Sequence, residues 1–447
     1  MRPQRVWIAL AVLGFAVLVC ACGPSAQPRQ TPQPTALAAS EPTPTRTDME
    51  TLDPSDSEVH LWHSMTGAKE QALLNIARGY ERSNPYGIRV RVEFHSALHK
   101  EILASVSAGT PPDIVVAPCQ RVAEYAVAGW VVPLGEYVES ARYGLTALER
   151  LDLQPTSLGG CLSASTNQAL GLVFDTQMVV MYYNADWLRE LGADSPPRTW
   201  EAFRALCNDA RDMDAGTWGY SIPVDGSLLL NWILGLGGSP IDTNSRQALL
   251  DSPVSVASLS VLRDTVQDDC GFCLFGSLSE GADWKSGEVL FSFGTTAELP
   301  GHAAEPPGFD WDIAPVPHLT VEPVLSAQGS TLGILRSTPR QQLAAWLLLK
   351  WLMRPLNDAQ WVLASGSLPM LRSTRYFPEI ETYLEALPQF STACDLLPYA
   401  LPEPSLPEWP EIRALLAGAA EIICQQQIDP VKALAPADGA ADRLLAQ

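Results

Sequence analysis

The chain has 447 residues, of which 47% are hydrophobic, and its formal net charge at pH 7 is −21. This length allows two lobes with a large core. The acidic balance argues against nucleic acid and anionic lipid headgroups as partners.

The N-terminus has the pattern of a bacterial lipoprotein signal. Arg2 and Arg5 precede an apolar run over residues 6–21, and a small residue stands directly before Cys22. We expect residues 1–21 to be the signal peptide, Cys22 to carry the lipid, and the mature chain to be extracytoplasmic and anchored to the cell membrane. An ordinary secretory signal and a short uncleaved anchor remain alternatives, since Val19 departs from the commonest pattern.

Residues 22–57 are rich in Pro and Thr and show no apolar periodicity. Such a segment buries too little apolar surface to offset the entropy of ordering. Its prolines favour extended conformations, so we expect a semi-rigid tether that ends near Glu58.

Seven cysteines follow Cys22, and an odd number leaves at least one thiol free. Cys270 and Cys273 form a Cys-x-x-Cys between a helical stretch and a loop, which favours a short-loop disulfide or plain packing over redox catalysis. His60 and His63 point to opposite faces of a predicted strand. We therefore expect neither a metal site nor a cofactor.

From Glu58 onward, short β-rich runs alternate with amphipathic helices, and the pattern restarts after Gly171. This order predicts an α/β fold whose first strands form a parallel sheet with right-handed crossovers. The predicted strands cover residues 58–63, 88–94, 113–116, 173–183 and 310–317. The predicted helices begin after Thr66, near Leu98, after Asn184, after Thr199 and at Arg340, and the tail over 411–447 is mostly helical.

Several short segments follow one another in a specific order, beginning with Leu-Trp-His-Ser-Met-Thr-Gly at residues 61–67. The others are at residues 83–85, 108–113, 128–134, 182–187, 196–203, 284–289, 328–330 and 364–369. Together they resemble family 1 extracellular solute-binding proteins, the carbohydrate-capturing subunits of ABC importers, over nearly all of residues 58–447.

The resemblance implies a two-lobed periplasmic-binding-protein-like fold with discontinuous lobes joined by hinge strands. Lobe one would comprise residues 58–173 plus 314–356, and lobe two residues 174–313 plus 357–447. A ligand would be captured in the cleft between the lobes, which would close by a hinge motion. The resemblance further implies a non-enzymatic monomer whose partners are a carbohydrate and the transmembrane subunits of an ABC permease.

Four candidate ligand contacts come from positions at strand ends and near the predicted cleft. His63 and Ser64 end the first strand, where open α/β sheets gather ligands, although a surface loop is the alternative. Gln120 follows the carboxyl end of the third strand and could bind a hydroxyl. Trp311 lies near a predicted hinge strand and faces either the cleft or the core.

Six further candidates lie in or beside segments that resemble ligand-facing parts of the family. Trp232 would stack on a sugar or be buried in the core, and Asp225 before it would contact ligand or lie in a surface loop. Gly294 and Thr295 resemble a ligand-facing turn, and Gln328 and Gly329 resemble a loop that offers backbone N–H groups.

A neutral mono- or oligosaccharide is the expected ligand. A sugar needs polar partners for its hydroxyls and aromatic planes for its C–H faces, and the candidate residues include both polar side chains and Trp. Glycerol 3-phosphate or a glycerophosphodiester is the alternative. It is weakened because Leu401 stands near where the family often has an Arg, and Cys119 near where glycerol phosphate binders use an acid. A carbohydrate-active hydrolase and a sensory or structural lipoprotein are the rival classes. No Gly-x-Ser-x-Gly or His-Glu-x-x-His motif supports hydrolysis.

Overall fold

The computed structural model describes residues 49–275 and 282–446, so Cys22, the expected signal peptide and residues 22–48 of the expected tether lie outside the described residues. The folded body begins before Glu58, because Met49 is fully buried and the Glu50 carboxylate accepts from the backbone of Ala141 and Arg142. Within these ranges no helix is long and apolar enough to cross a membrane. The strands are β1 (Glu58–His63), β2 (Arg89–Phe94), β3 (Ile114–Pro118), β4 (Leu172–Asn184), β5 (Trp218–Pro223), β6 (Ile241–Asp242), β7 (Gln247–Ala248), β8 (Gly271–Leu274), β9 (Val289–Thr295), β10 (Trp311–Ala314), β11 (Leu325–Ile334) and β12 (Ala400–Pro402).

The α-helices lie between these strands and after them. Their bounds are Gly67–Ser83, Leu98–Ser107, Cys119–Val127, Gly135–Glu139, Ala147–Asp152, Pro155–Gly159, Ala185–Glu190, Trp200–Ala210, Gly226–Gly235, Pro253–Gln267, Ala282–Lys285, Leu299–Ala304, Pro339–Leu352, Pro355–Ser365, Pro378–Ala386, Pro388–Leu396, Trp409–Gln426 and Pro430–Leu445. Asn184 and Thr199 cap their helices as predicted, whereas Thr66 makes no side-chain cap bond.

Ten strands form one mixed sheet in the order β2-β1-β3-β11-β4-β9-β5-β8, with β10 paired to β4 and β12 paired to β11. The predicted parallel pairing holds for β1 with β2 and β3. Strand β5 also runs parallel to β8 and β9, although the sequence did not predict these three strands. In contrast, β11 runs antiparallel to both β3 and β4, so the sheet as a whole is mixed.

The long strand β4 joins the two halves of the sheet. Its first part, up to Met178, pairs with β11, and its last part, from Val179, pairs with β9 and β10. One strand therefore belongs to both lobes, which is why the strand–helix pattern of the sequence restarts at this point.

The N-terminal half of the sheet has a core on each face, because successive side chains of a strand point to opposite sides. On β3, Ile114 and Val116 face a core that includes Trp346, whereas Val115 and Ala117 face a core under helix Cys119–Val127. Helix Pro355–Ser365 contributes to the first of these cores, where Trp361 packs on Phe174 at 4.7 Å between ring centroids.

The C-terminal half is built around residues 179–293, and the last two helices complete its core. Trp409 and Leu434 from these helices are buried with Phe203 and Phe291. The C-terminal helices therefore pack on lobe two, although the exact lobe boundaries stay a prediction.

Four of the seven cysteines after Cys22 form disulfides. Cys119 bonds Cys161, and Cys273 bonds Cys424, with Cα–Cα distances of 5.4 and 6.4 Å. The expected short-loop disulfide in the Cys-x-x-Cys is wrong, because three residues along a strand span about 10 Å, beyond disulfide reach. Packing is the correct alternative for Cys270, which is buried and free. Cys207 and Cys394 are also free and buried.

Candidate functional site

A cavity of about 400 Å³ lies where the end of β3, the middle of β4 and the middle of β11 meet the segment that follows β12. Both lobes contribute to its wall. The lining residues are Pro118, Cys119, Gln120, Arg121, Glu124, Thr156, Gly160, Val173, Asp175, Thr176, Gln177, Ala327, Gln328, Gly329, Ser330, Pro402, Glu403, Pro407, Pro410 and Arg413.

Three of the ten predicted site residues lie in this wall. Gln120 is the second residue of the helix after β3, and its Nε2 donates to the carbonyl oxygen of Pro404 at 3.2 Å. Gln328 and Gly329 lie within strand β11, opposite Gln177 and Thr176 of β4, so the expectation of a loop at these residues is wrong. A Cβ at Gly329 would lie 2.5 Å from the carbonyl oxygen of Asp175, so the close approach of these strands requires glycine.

Trp232 lies in the core of lobe two and not in the cavity wall. Its side chain is fully buried, with ring centroids 4.3 Å from Trp200 and 5.6 Å from Phe293. Helix Gly226–Gly235 is apolar on nearly all sides, so its sequence pattern could not show whether Trp232 faces the cleft or the core. The structure therefore favours the core alternative for this residue.

The strand-end candidates are also outside the wall. His63 is buried, its ring nitrogen Nδ1 accepts from the backbone of Met65 at 3.1 Å, and burial lowers its pKa. Ser64 is exposed beyond β1. Asp225 caps helix Gly226–Gly235, accepting from the backbone of Ser227 at 2.8 Å, so its carboxylate serves local structure.

The remaining three candidates lie around β9 and β10. Gly294 approaches the carboxylate of Glu298, and the backbone N–H of Thr295 donates to the same group at 2.7 Å. The hydroxyl of Thr295 lies 3.4 Å from Oε1 of Gln177, which itself lines the wall. Trp311 packs on Trp284 at 5.6 Å between ring centroids. Direct ligand contact by these residues stays a prediction.

Charged residues that the sequence did not single out form much of the site. Asp175 on β4 accepts two hydrogen bonds from the ammonium of Lys69, at 2.9 and 2.8 Å, and lies 3.4 Å from the hydroxyl of Ser330. Arg121 and Glu124 form a second ion pair on helix Cys119–Val127, with each side chain more than a third exposed. The i,i+3 spacing of that second pair is visible in the sequence.

The third ion pair joins Arg413 to Glu403. The guanidinium donates to Glu403 Oε2 at 3.3 Å and to the hydroxyl of Ser227 at 3.0 Å, and it lies 3.5 Å from Gln328 Oε1. Trp409 Nε1 donates to the same carboxylate oxygen at 2.8 Å. No sequence signal predicted this cluster, because its members meet only through packing of helix Trp409–Gln426 on lobe two.

The wall carries many polar and charged side chains and contains no aromatic residue among the described residues that line it. Its apolar surface comes from prolines, Val173 and Ala327. Across the described ranges, no group of three or more His, Cys, Asp or Glu side chains is placed to hold a metal ion. The site can therefore offer many hydrogen bonds, whereas the expected aromatic planes are not part of this wall.

The sequence matches bacterial extracellular solute-binding proteins over residues 75–386. The maltotriose-binding protein of Pyrococcus abyssi is 20% identical over 72% of this chain and 69% of that protein. The sn-glycerol-3-phosphate-binding periplasmic protein UgpB of Salmonella typhimurium is 21% identical over 86% of this chain and 91% of that protein. The structure of the sugar-binding protein MalE from Xanthomonas citri is 20% identical, covers 87% of this chain and 98% of its own, and superposes with a TM-score of 0.75. The two-lobed fold is thus confirmed, and the chain belongs to the bacterial extracellular solute-binding proteins.

Proposed function

We propose that the protein is the substrate-binding subunit of an ABC importer and that it captures a neutral, hydroxyl-rich solute in the cavity between its lobes. The observation that carries the proposal is the cavity wall, which draws on both lobes and is dense in paired donors and acceptors. A ligand that contacts both lobes favours the closed state of a hinged receptor.

A carbohydrate of one or two sugar units is the preferred ligand. Ligand pockets usually measure about 300–1,000 Å³, and a cavity of about 400 Å³ is at the small end of that range. Gln120, Gln177 and Gln328 provide amide groups that can both donate to and accept from hydroxyls. Pro407 and Pro410 provide apolar surface for the C–H faces of a ring.

A glycerol phosphoester is the second candidate, because Arg413 and Arg121 bring two guanidinium groups to the wall. Phosphate oxygens are well matched to such groups. These two arginines weaken one argument against a phosphoester, which was that Leu401 stands near where the family often has an Arg. The curated relatives include binders of both ligand types.

The proposal includes an anchor and a partner. Solute-binding proteins of this family act outside the cytoplasm. We extend this to lipid attachment at Cys22, with residues 22–48 as a tether that keeps a monomeric receptor near its permease and raises its effective concentration there. The signal pattern before Cys22 supports the extension.

A binding role is favoured over hydrolysis, because all three carboxylates of the wall are engaged by cations. Asp175 pairs with Lys69, Glu124 with Arg121, and Glu403 with Arg413. The family consists of transport components rather than enzymes.

The test is calorimetry and thermal unfolding with maltose, maltotriose, glycerol 3-phosphate, glycerophosphocholine and zinc. Saturable binding of a sugar without turnover supports the proposal, and stabilisation should follow RT ln(1 + [L]/Kd). Release of cleaved product from a glycan would instead identify an enzyme. Stabilisation by zinc alone would contradict the sugar assignment.

A further inference from the structure

We infer that Glu403 sets the charge selectivity of the cavity, by neutralising Arg413 so that uncharged ligands are preferred to phosphoesters. The inference rests on the proposed function, because it assigns a ligand class to the same cavity. It makes Glu403 a specificity-determining residue that acts through the guanidinium beside it.

The first step is the position of the two groups. Arg413 and Glu403 both line the cavity. The Glu403 side chain is 3% exposed, whereas that of Arg413 is 33% exposed. The cation is thus the accessible member of the pair, and its counter-charge is fixed behind it in the protein.

The second step is what holds Glu403 in place. The carboxylate accepts from Trp409 Nε1 as well as from Arg413, and its backbone N–H donates to the carbonyl oxygen of Ala327 at 3.0 Å. The side-chain contacts hold the carboxylate on lobe two, and the backbone contact holds the residue beside β11. A ligand phosphate would therefore compete with a carboxylate that is buried and held beside Arg413.

The third step is electrostatic. An unpaired guanidinium in a partly enclosed site attracts phosphate strongly, since charge-assisted hydrogen bonds are about twice as strong as neutral ones. A carboxylate within hydrogen-bond distance cancels most of that attraction, and burial reduces screening by salt. A neutral hydroxyl loses little, because Arg413 and Gln328 still offer hydrogen bonds.

The pair Arg91–Glu58 provides a control outside the cavity. It has the same chemistry, with 2.6 Å between Arg91 Nε and Glu58 Oε1, and neither residue lines the cavity. Removing this negative charge changes the net charge of the protein by the same amount but frees no cation at the ligand, so the phosphoester Kd should change little. The comparison separates the local effect at Arg413 from the change in net charge.

The experiment measures the Kd of maltose, glycerol 3-phosphate and inorganic phosphate by calorimetry for the whole mature chain and its Glu403→Gln and Glu58→Gln variants. Gln at position 403 keeps an acceptor for Trp409 and removes the charge. We expect Glu403→Gln to bind glycerol 3-phosphate about 10-fold or more tightly than the wild type, with a steeper salt dependence. Glu58→Gln should change this Kd by less than about 3-fold.

The double variant Glu403→Gln/Arg413→Gln should return phosphoester affinity to the wild-type level, because the gain requires the freed cation. An unchanged phosphoester Kd in folded Glu403→Gln overturns the inference, whatever the sugars do. The wild type gives a measurement that needs no variant: tighter, salt-dependent binding of glycerol 3-phosphate than of maltose also overturns it. The proposed function fails separately, if the wild type binds none of the sugars and none of the phosphoesters.

Discussion

Replacing Gly329 by Ala tests the close approach of β11 to β4 at the cavity. The added Cβ would lie 2.5 Å from the carbonyl oxygen of Asp175, 2.9 Å from its carbonyl carbon and 3.2 Å from the Cα of Thr176. All three contacts are to backbone, so no side chain can rotate away, and the two strands must separate. Overpacking of this kind costs about 1–3 kcal/mol, and we expect the free energy of unfolding to fall by that amount.

The same displacement should weaken ligand binding, because Gln328 and Asp175 belong to the wall on either side of the contact. Misplacing one or two hydrogen bonds of about 0.5–1.5 kcal/mol each would raise the Kd for maltose about 10-fold. Urea unfolding at an unchanged m-value measures the stability, and calorimetry measures the Kd.

Gly418→Ala is the matched control, since it adds the same atom within helix Trp409–Gln426 and meets no heavy atom within 4 Å. Its expected effect is a stabilisation of about 0.5–1 kcal/mol, from the better helix propensity of Ala. If Gly329→Ala behaved like Gly418→Ala in both assays, the reasoning that this glycine allows the strands to meet at the cavity would be refuted.

Four more predictions address the core, the acid titration, the interlobe contact and the anchor. Trp232→Ala should lower the free energy of unfolding by about 3–5 kcal/mol but leave the maltose Kd of the folded protein unchanged; loss of binding without loss of stability would instead support stacking on sugar. Burial raises the pKa of the Asp358 carboxyl from 3.8 to about 6, so the folded state holds this proton more tightly than the unfolded state does. The stability that the protonated carboxyl contributes is therefore full below pH 3.8 and is lost as the pH rises through 6. This loss is about 3 kcal/mol, and Asp358→Asn should abolish it in urea unfolding measured from pH 4 to 7; an identical pH profile would contradict the shift. Gln120→Leu should raise the Kd for maltose about 2- to 10-fold through loss of its bond to Pro404, and an unchanged Kd in calorimetry would count against that contact. Cys22→Ser should move the protein from the membrane to the soluble fraction, whereas retention at the membrane would indicate an uncleaved anchor.

The first strands and helices were predictable because local patterns determine them, whereas β5, β8, β9 and β11 were not predicted. The alternating run after Pro85 and the apolar run near Ile114 each became a strand within two residues of the predicted bounds. The three site residues that lie in the cavity wall, Gln120, Gln328 and Gly329, also follow from local rules: the first stands after a parallel strand, and the others are in a segment shared with the family.

The rest of the site depends on side-chain direction and on contacts between distant segments. Trp232 has the apolar surroundings of both a stacking residue and a core residue, and only the packing against Trp200 distinguishes them. Arg413 lies more than 80 positions from Gln328, and no periodicity links the two. Burial of Glu403, which governs the charge of the cavity, is likewise a tertiary property.

The segment around Pro404 and Ser405 contacts lobe one at the cavity. Besides the bond from Gln120 to Pro404, the backbone N–H of Leu162 donates to the hydroxyl of Ser405 at 3.3 Å, and this hydroxyl lies 3.2 Å from the sulfur of Cys119. The disulfide between Cys119 and Cys161 links the two stretches of chain that contact this segment. Because Glu403 precedes Pro404 directly, the residue that we propose sets ligand charge also begins the segment that bridges the lobes. Ligand selection and lobe closure would then act on one short stretch of chain, and a ligand that disturbs Glu403 would also disfavour the closed state.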